Sequence, residues 1–213
     1  MCGRITLLTY EELLDVVESV EKRTAAGLLR EQDGATRAQA RPNSVVRAIT
    51  PVGGQLEISE LVWGFPLNGG KKTVFNTRIE SALEGSRMWL GPLRDGRCLL
   101  PVASFFEPHA TETSISPRTG RPIKRQYEFA SESDTPLLLA SVHDGTRLSV
   151  VTSEPNASVA PIHPRMPLVL RFEEVETWLY GDYATLADRS EISLAARPET
   201  PEPPAPAQLS LFS

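Results

Sequence analysis

Two apolar runs, Leu137–Val142 and Leu148–Thr152, are joined through Asp144-Gly145, and this pairing constrains the chain more than any other stretch. An Asp-Gly step accepts the positive backbone angles of a tight turn, so the runs on either side read as the arms of an antiparallel hairpin. Val45–Thr50 and Leu56–Val62 repeat the pattern around Gly53-Gly54. Arg97–Ala103 is a further β-rich run, and Lys71–Ile79 and the short Leu168–Leu170 also read as strands. Helical signals are fewer. Thr9 followed by Glu12 spells a capping box. Leu13, Val16, Val17 and Val20 then recur at helical spacing, which predicts a helix over 9–22. Shorter helices are expected over Glu80–Leu90 and Glu173–Tyr180, and loops over 30–44 and 110–124. The fold class expected is α+β: one domain with a curved, mostly antiparallel, barrel-like sheet around a groove, and helices at its side.

The domain is expected to span residues 1–194. From Arg197 to Ala207 the chain is Pro-rich and acidic without apolar periodicity, so 195–207 reads as an extended linker. It ends in the apolar cluster of 208–213. No apolar run is long enough to cross a membrane, and the start has no basic region followed by an apolar core, so no signal peptide is expected. Cys2 and Cys98 do not make a disulfide framework, which points to a reducing cytoplasm, with Cys98 a buried structural thiol. The net charge of −5 argues against strong non-specific nucleic-acid binding, but it is unevenly spread. Residues 173–213 carry eight acids against two bases, a net −6, which leaves +1 on the first 172. A near-neutral body can still hold a strand through a local arginine patch.

The chemistry begins at the start of the chain. Met1 precedes the small residue Cys2, so its removal would leave an N-terminal 1,2-aminothiol. The amine condenses with an aldehyde to an imine, and the thiol closes on the imine carbon as a five-membered thiazolidine. An α-amino group, with a pKa of about 7.7–8.0 against about 10.4 for lysine, is partly neutral at cell pH.

Four segments line up: the start Met1-Cys2-Gly3-Arg4, Phe75-Asn76-Thr77-Arg78-Ile79-Glu80, Ser104-Phe105-Phe106-Glu107 and Ile162-His163-Pro164-Arg165-Met166-Pro167, together with Trp63-Gly64 and Arg97-Cys98-Leu99-Leu100-Pro101. In this order the chain resembles the SRAP family, the SOS-response-associated peptidases, over roughly residues 2–180. The resemblance implies shielding of abasic sites in single-stranded DNA through a covalent thiazolidine at Cys2. It makes Glu107 the proton-transferring carboxylate, His163 a proton shuttle and Asn76 the amide that holds the amine or polarises the intermediate. Arg4, Arg78 and Arg165 match phosphate-gripping arginines, for which the planar guanidinium fork is suited. Trp63 would stack on a base, and Met166 and Pro167 would wedge against unstacked bases. No metal or other cofactor is implied. Pro108-His109 stands where a tryptophan is usual, Pro164 where an acid is usual, and Asn-Thr-Arg replaces Asn-Ala-Arg.

The tail carries a second resemblance. Gln208-Leu209-Ser210-Leu211-Phe212 is similar to the pentapeptide by which bacterial repair proteins bind the β sliding clamp, with Gln208, Leu209, Leu211 and Phe212 filling the pocket. Tethering would raise the local concentration of a weakly basic domain at DNA. The expected partners are therefore abasic single-stranded DNA and the clamp, for a cytoplasmic, nucleoid-associated monomer. Two other functions fit the same residues: a thiol hydrolase with Cys2 as nucleophile and His163 as base, and a non-catalytic clamp adaptor.

Overall fold

The computed structural model describes residues 2–22, 37–67, 69–116 and 118–199. The chain opens with strand β1 (Ile5–Leu7) and helix α1 (Tyr10–Glu21), then continues through β2 (Gln39–Ala40), β3 (Val45–Val52), β4 (Gln55–Trp63), β5 (Phe65–Leu67), β6 (Lys72–Val74) and β7 (Asn76–Arg78). Helices α2 (Ile79–Leu83) and α3 (Arg87–Asp95) lead into the long β8 (Arg97–Ile115), β9 (Pro122–Ala130), β10 (Leu137–His143) and β11 (Arg147–Ser153). Short strands β12 (Met166–Pro167) and β13 (Val169–Leu170), helix α4 (Val175–Tyr180) and strand β14 (Ala195–Pro198) complete the described chain. The result is a single α+β domain built on one large curved sheet, with a two-stranded β5–β6 ribbon beside it. None of the described helices is long and apolar enough to cross a membrane.

Local chemistry fixes the predicted hairpins. Asp144 Oδ1 accepts the backbone N–H of Thr146 and Arg147 at 2.9 and 2.8 Å, while Gly145 takes φ +96°. Strands β10 and β11 then pair antiparallel, Ser141 opposite Val150. At the other end of the chain, α1 carries the predicted capping box, with Thr9 and Glu12 satisfying each other's backbone N–H.

The sheet separates two apolar clusters, and the alternation along β8 and β10 shows how. Leu99, Leu138 and Ala140 face a cluster that also takes Leu13 and Val16 of α1, Trp89 of α3 and Trp178 of α4. Cys98, Leu100, Leu137 and Leu139 face the other way, into a cluster with Trp63, Phe105, Phe129 and Cys2. Successive strand residues point to opposite faces, so one face is covered by helices and the other is free to hold the amino-terminal segment.

Five regions differ from the sequence expectation, and the first is Gln39–Ala40, a short strand paired with β1 inside the expected loop 30–44. Lys71–Ile79 is not one strand: the chain leaves the β5–β6 ribbon and crosses at Phe75 to run parallel to β11, Asn76 opposite Val150. The helix expected over Glu80–Leu90 is two, because Gly85 adopts φ +76° between α2 and α3. The stretch 110–124 is mainly strand, since β8 and β9 keep pairing to Ile115 opposite Pro122. Finally, Ala195–Pro198 is not linker but edge strand, antiparallel to β9 with Arg197 opposite Glu128. The rest of the linker and the terminal peptide, with Gln208, Leu209, Leu211 and Phe212, lie outside the described residues.

Candidate active site

Backbone pairing brings the start of the chain to the middle of β8. Ile5 of β1 lies opposite Phe105, and the Phe106 N–H donates to the Arg4 carbonyl at 2.9 Å. Cys2 is thereby sunk in the helix-free face with no exposed surface. Its carbonyl accepts a hydrogen bond from Asn76 Nδ2 at 2.9 Å, across 74 residues of sequence. The crossing at Phe75 explains how Asn76 arrives there: running parallel to β11 aims its amide at the amino-terminal segment. Asn76 Oδ1, also buried, has no hydrogen-bond partner among the described residues. It is an acceptor left for a donor.

Glu107 has no exposed surface either. Burial pushes its carboxyl up to about 7, with the positive chain terminus opposing that rise. A carboxylic acid near half-protonation at neutral pH can give or take a proton. His163 brings a second proton carrier: its Nε2 stands 3.7 Å from Glu107 Oε2, an ion-pair separation rather than a hydrogen bond. The loop that carries His163 is pinned by Asn156, whose Oδ1 accepts the N–H of Ser158 and Val159, and by Ala110 N–H, which donates to the Ile162 carbonyl. His163 Nδ1 lies 2.8 Å from the Arg165 carbonyl and 3.2 Å from the Arg165 nitrogen. One ring nitrogen cannot serve both as donor and as acceptor. Whichever role Nδ1 takes, the Arg165 backbone holds the ring so that Nε2 is turned toward Glu107. Burial pushes the His163 pKa down, so the ring favours the neutral form.

The Cys2 thiol is held in the neutral form. Burial, and then the Glu107 charge, raise its pKa well above the ordinary thiol value. Its Sγ is 3.8 Å from the Arg4 carbonyl. Cys98 is likewise buried and pushed up, as expected of a structural thiol.

The expected DNA contacts divide. Arg78, at the end of β7, is exposed. Arg4 and Arg165 are mostly buried, each in a two-pronged ion pair. Arg4 grips both carboxylate oxygens of Glu199 at 2.6 Å and lies over the Phe106 ring, 3.8 Å from its centroid. Arg165 grips Glu80 at 2.7 and 2.8 Å and donates to the Thr152 carbonyl. Neither Glu80 nor Glu199 stands near its arginine in the sequence, so no local pattern marks them as partners.

Trp63, Met166 and Pro167 need correction. Trp63 is fully buried, and its Nε1–H donates to the Phe75 carbonyl at 2.9 Å. A ring with no exposed area offers no face to a base. It instead supports the residue before Asn76. The next residue explains the tight fit: Gly64 has φ +114°, and a Cβ there would lie 2.3 Å from a Thr73 methyl. Met166 is also fully buried, its sulfur accepting the Asn156 N–H, and Pro167 is buried in β12. Neither presents a wedge. His109 turns its Nδ1 to the backbone N–H of Glu112 at 2.9 Å, closing the irregular turn of β8.

Among the described residues no cluster of metal-ligating side chains is present. The family model for SOS response associated peptidases (SRAP) matches residues 1–202. The abasic site processing proteins YoaM and YoqW of Bacillus subtilis are each 26% identical, over 190 and 193 residues, covering 84% of this chain and 79% and 80% of theirs. Among solved structures, a phage-related protein of Bordetella bronchiseptica superposes with a TM-score of 0.66 at 21% identity, covering 92% of this chain and 93% of that one. A Bacteroides thetaiotaomicron protein gives 0.63 at 16%, covering 92% and 91%.

Proposed function

The chain belongs to the SOS response associated peptidase family, and on that premise we propose that it processes abasic sites in DNA, capping them in single strands through Cys2. The relatives named for abasic site processing support the substrate. The observation that carries the chemistry is the convergence on one buried spot of Cys2, the Asn76 amide and a Glu107 carboxyl that titrates near neutrality.

Removal of Met1 exposes the Cys2 amine. The amine adds to the aldehyde of the opened deoxyribose, and the carbinolamine loses water to give an imine. The thiol then adds across the C=N bond, sulfur to carbon and proton to nitrogen, closing the thiazolidine. Glu107 takes the proton from the attacking amine and returns one to the departing hydroxyl, with His163 Nε2 as relay. Asn76 anchors the Cys2 backbone, and its Oδ1 accepts from the amine. A thiol held neutral suits this order of events, because the amine attacks first and the thiol closes afterwards. It suits a thiol hydrolase poorly, since a cysteine nucleophile works as a thiolate in an electropositive setting. Arg4, Arg78 and Arg165 hold phosphates flanking the lesion. The terminal Gln208, Leu209, Leu211 and Phe212 dock on the β sliding clamp, and deleting 208–213 abolishes that binding.

The test is a denaturing gel. Protein starting at Cys2 is mixed with single-stranded DNA bearing one abasic site, beside undamaged DNA and a Cys2→Ala variant. A shifted band confined to wild type with damaged DNA supports capping. Its absence, from protein whose intact mass lacks Met1, overturns it and brings forward the hydrolase and adaptor alternatives.

A further inference from the structure

Arg4 is a phosphate-gripping position under the reading above, yet in the folded chain its fork is already filled. The Glu199 carboxylate accepts from both terminal nitrogens of Arg4 at 2.6 Å, matching the two-oxygen face that a phosphate presents. The surroundings are those of an anion site. The Arg41 charge acts on Glu199 as well as that of Arg4, while Gln39 Oε1 accepts from Arg4 Nη1 at 3.5 Å as a second, neutral occupant of the fork. The Arg4 hydrogen bonds hold the Glu199 carboxyl below the ordinary range, so it is an anion throughout physiological pH.

Glu199 reaches Arg4 because β14 lies along β9 and its own N–H donates to the Gln126 carbonyl. β14 is lightly held. Ala196, Arg197 and Pro198 are exposed, so backbone pairing rather than apolar burial keeps the strand in place. A strand with few buried contacts separates at low cost compared with the core.

We propose that Glu199 is an internal occupant of the Arg4 phosphate site, competing with the DNA backbone and setting how tightly the protein holds single strands before any covalent step. The proposal rests on the reading of Arg4 as a phosphate contact. A protein that caps lesions gains from such a competitor. Undamaged strands are released readily, while an abasic strand is retained once Cys2 has bonded to it. Glu199 thus weakens non-specific holding without touching the chemistry.

Binding of a short, fluorescent, undamaged single strand to the full chain at low salt tests this, using Glu199→Gln, Glu199→Asp, Arg4→Gln and the Arg4→Gln/Glu199→Gln double variant. Glu199→Gln is expected to tighten binding about two- to fivefold, the range over which a partly exposed ion pair competes. Glu199→Asp keeps the charge but is too short to fill the fork, so it gives a similar gain. Arg4→Gln weakens binding, and adding Glu199→Gln to it restores nothing. No gain in either single Glu199 variant overturns the proposal, with the melting temperature showing that each is folded. A gain with Gln alone, or one that persists in the Arg4→Gln background, marks a general charge effect and also overturns it. If Arg4→Gln leaves affinity unchanged, the phosphate role of Arg4 has failed and the competition with it. The covalent role of Cys2 is untouched by that outcome and is read separately on the gel.

Discussion

Glu107 and Glu199 are the same functional group with opposite fates. Glu107 lies inside the sheet next to the residue whose N–H binds Arg4, and burial drives its carboxyl up to about 7. Glu199 lies at the rim in the fork of Arg4 itself, and its carboxyl is driven down. Glu80, in the fork of Arg165, is driven down as well. The difference teaches how one small protein holds the same group in two opposite protonation regimes. A dry interior without a guanidinium fork makes a proton donor and acceptor usable at neutral pH. A forked carboxylate at the rim is a permanent anion that another anion can replace. Under the proposed function, chemistry belongs to the first setting and strand holding to the second.

The sharpest way to break the contrast is Glu107→Gln. Loss of positioned proton transfer should slow cross-linking about 10²–10⁴-fold while leaving single-strand affinity unchanged. The same variant tests the raised carboxyl through stability. The folded value of about 7 lies above the ordinary 4.5, so the folded state holds the proton more tightly. That contribution is fully present below the ordinary value and is lost as pH rises through about 7, on the order of 3 kcal/mol in all. Urea midpoints of wild type should therefore fall relative to the Gln variant between mildly acidic and mildly alkaline buffers. Parallel pH curves for the two proteins would mean that Glu107 is not perturbed.

Trp63 sharpens the boundary between interior and rim. As a buried ring bonded to the Phe75 carbonyl, its truncation to Ala should cost about 3–5 kcal/mol of stability. The smaller change Trp63→Leu should lower the melting temperature and still leave the affinity of the folded protein for single strands unaltered. A base-stacking ring would instead cost about 1–3 kcal/mol of binding, and finding that loss in folded Trp63→Leu protein would return Trp63 to the rim.

These residues also show what the sequence could and could not disclose. Features written within a few positions were legible: the Thr9–Glu12 capping box, the turn at Asp144-Gly145, and the strands around Gly53-Gly54 all formed as expected. The aminothiol at Cys2 followed from its place next to Met1, and the resemblance supplied Asn76, Glu107 and His163. Their meeting was not legible, because it depends on pairings such as Ile5 with Phe105 and Asn76 with Val150. Facing was hidden too. Trp63 and Met166 have the chemistry of contact residues but lie on the inward side of their strands. The proline content of 195–207 masked β14, whose order comes from β9, and 195 positions separate Arg4 from Glu199.

The smallest expected effects compare two arginines. Arg165 is buried in its fork, whereas Arg78 is exposed two residues beyond Asn76 on the same short strand. If both contact phosphates, Arg165→Gln and Arg78→Gln should each lower the slope of log affinity against log salt by about one, uniformly across DNA sequences. Their stabilities should differ. Arg165→Gln strips donors from Glu80 and from the Thr152 carbonyl and should cost about 1–3 kcal/mol. Arg78→Gln should stay within about 0.5 kcal/mol of wild type, as exposed substitutions do. A changed salt slope without a stability change would mark Arg78 as an arginine kept for the strand alone. An unchanged slope would leave it a solvated charge and confine the phosphate grip to Arg4 and Arg165, both of which must first release a carboxylate.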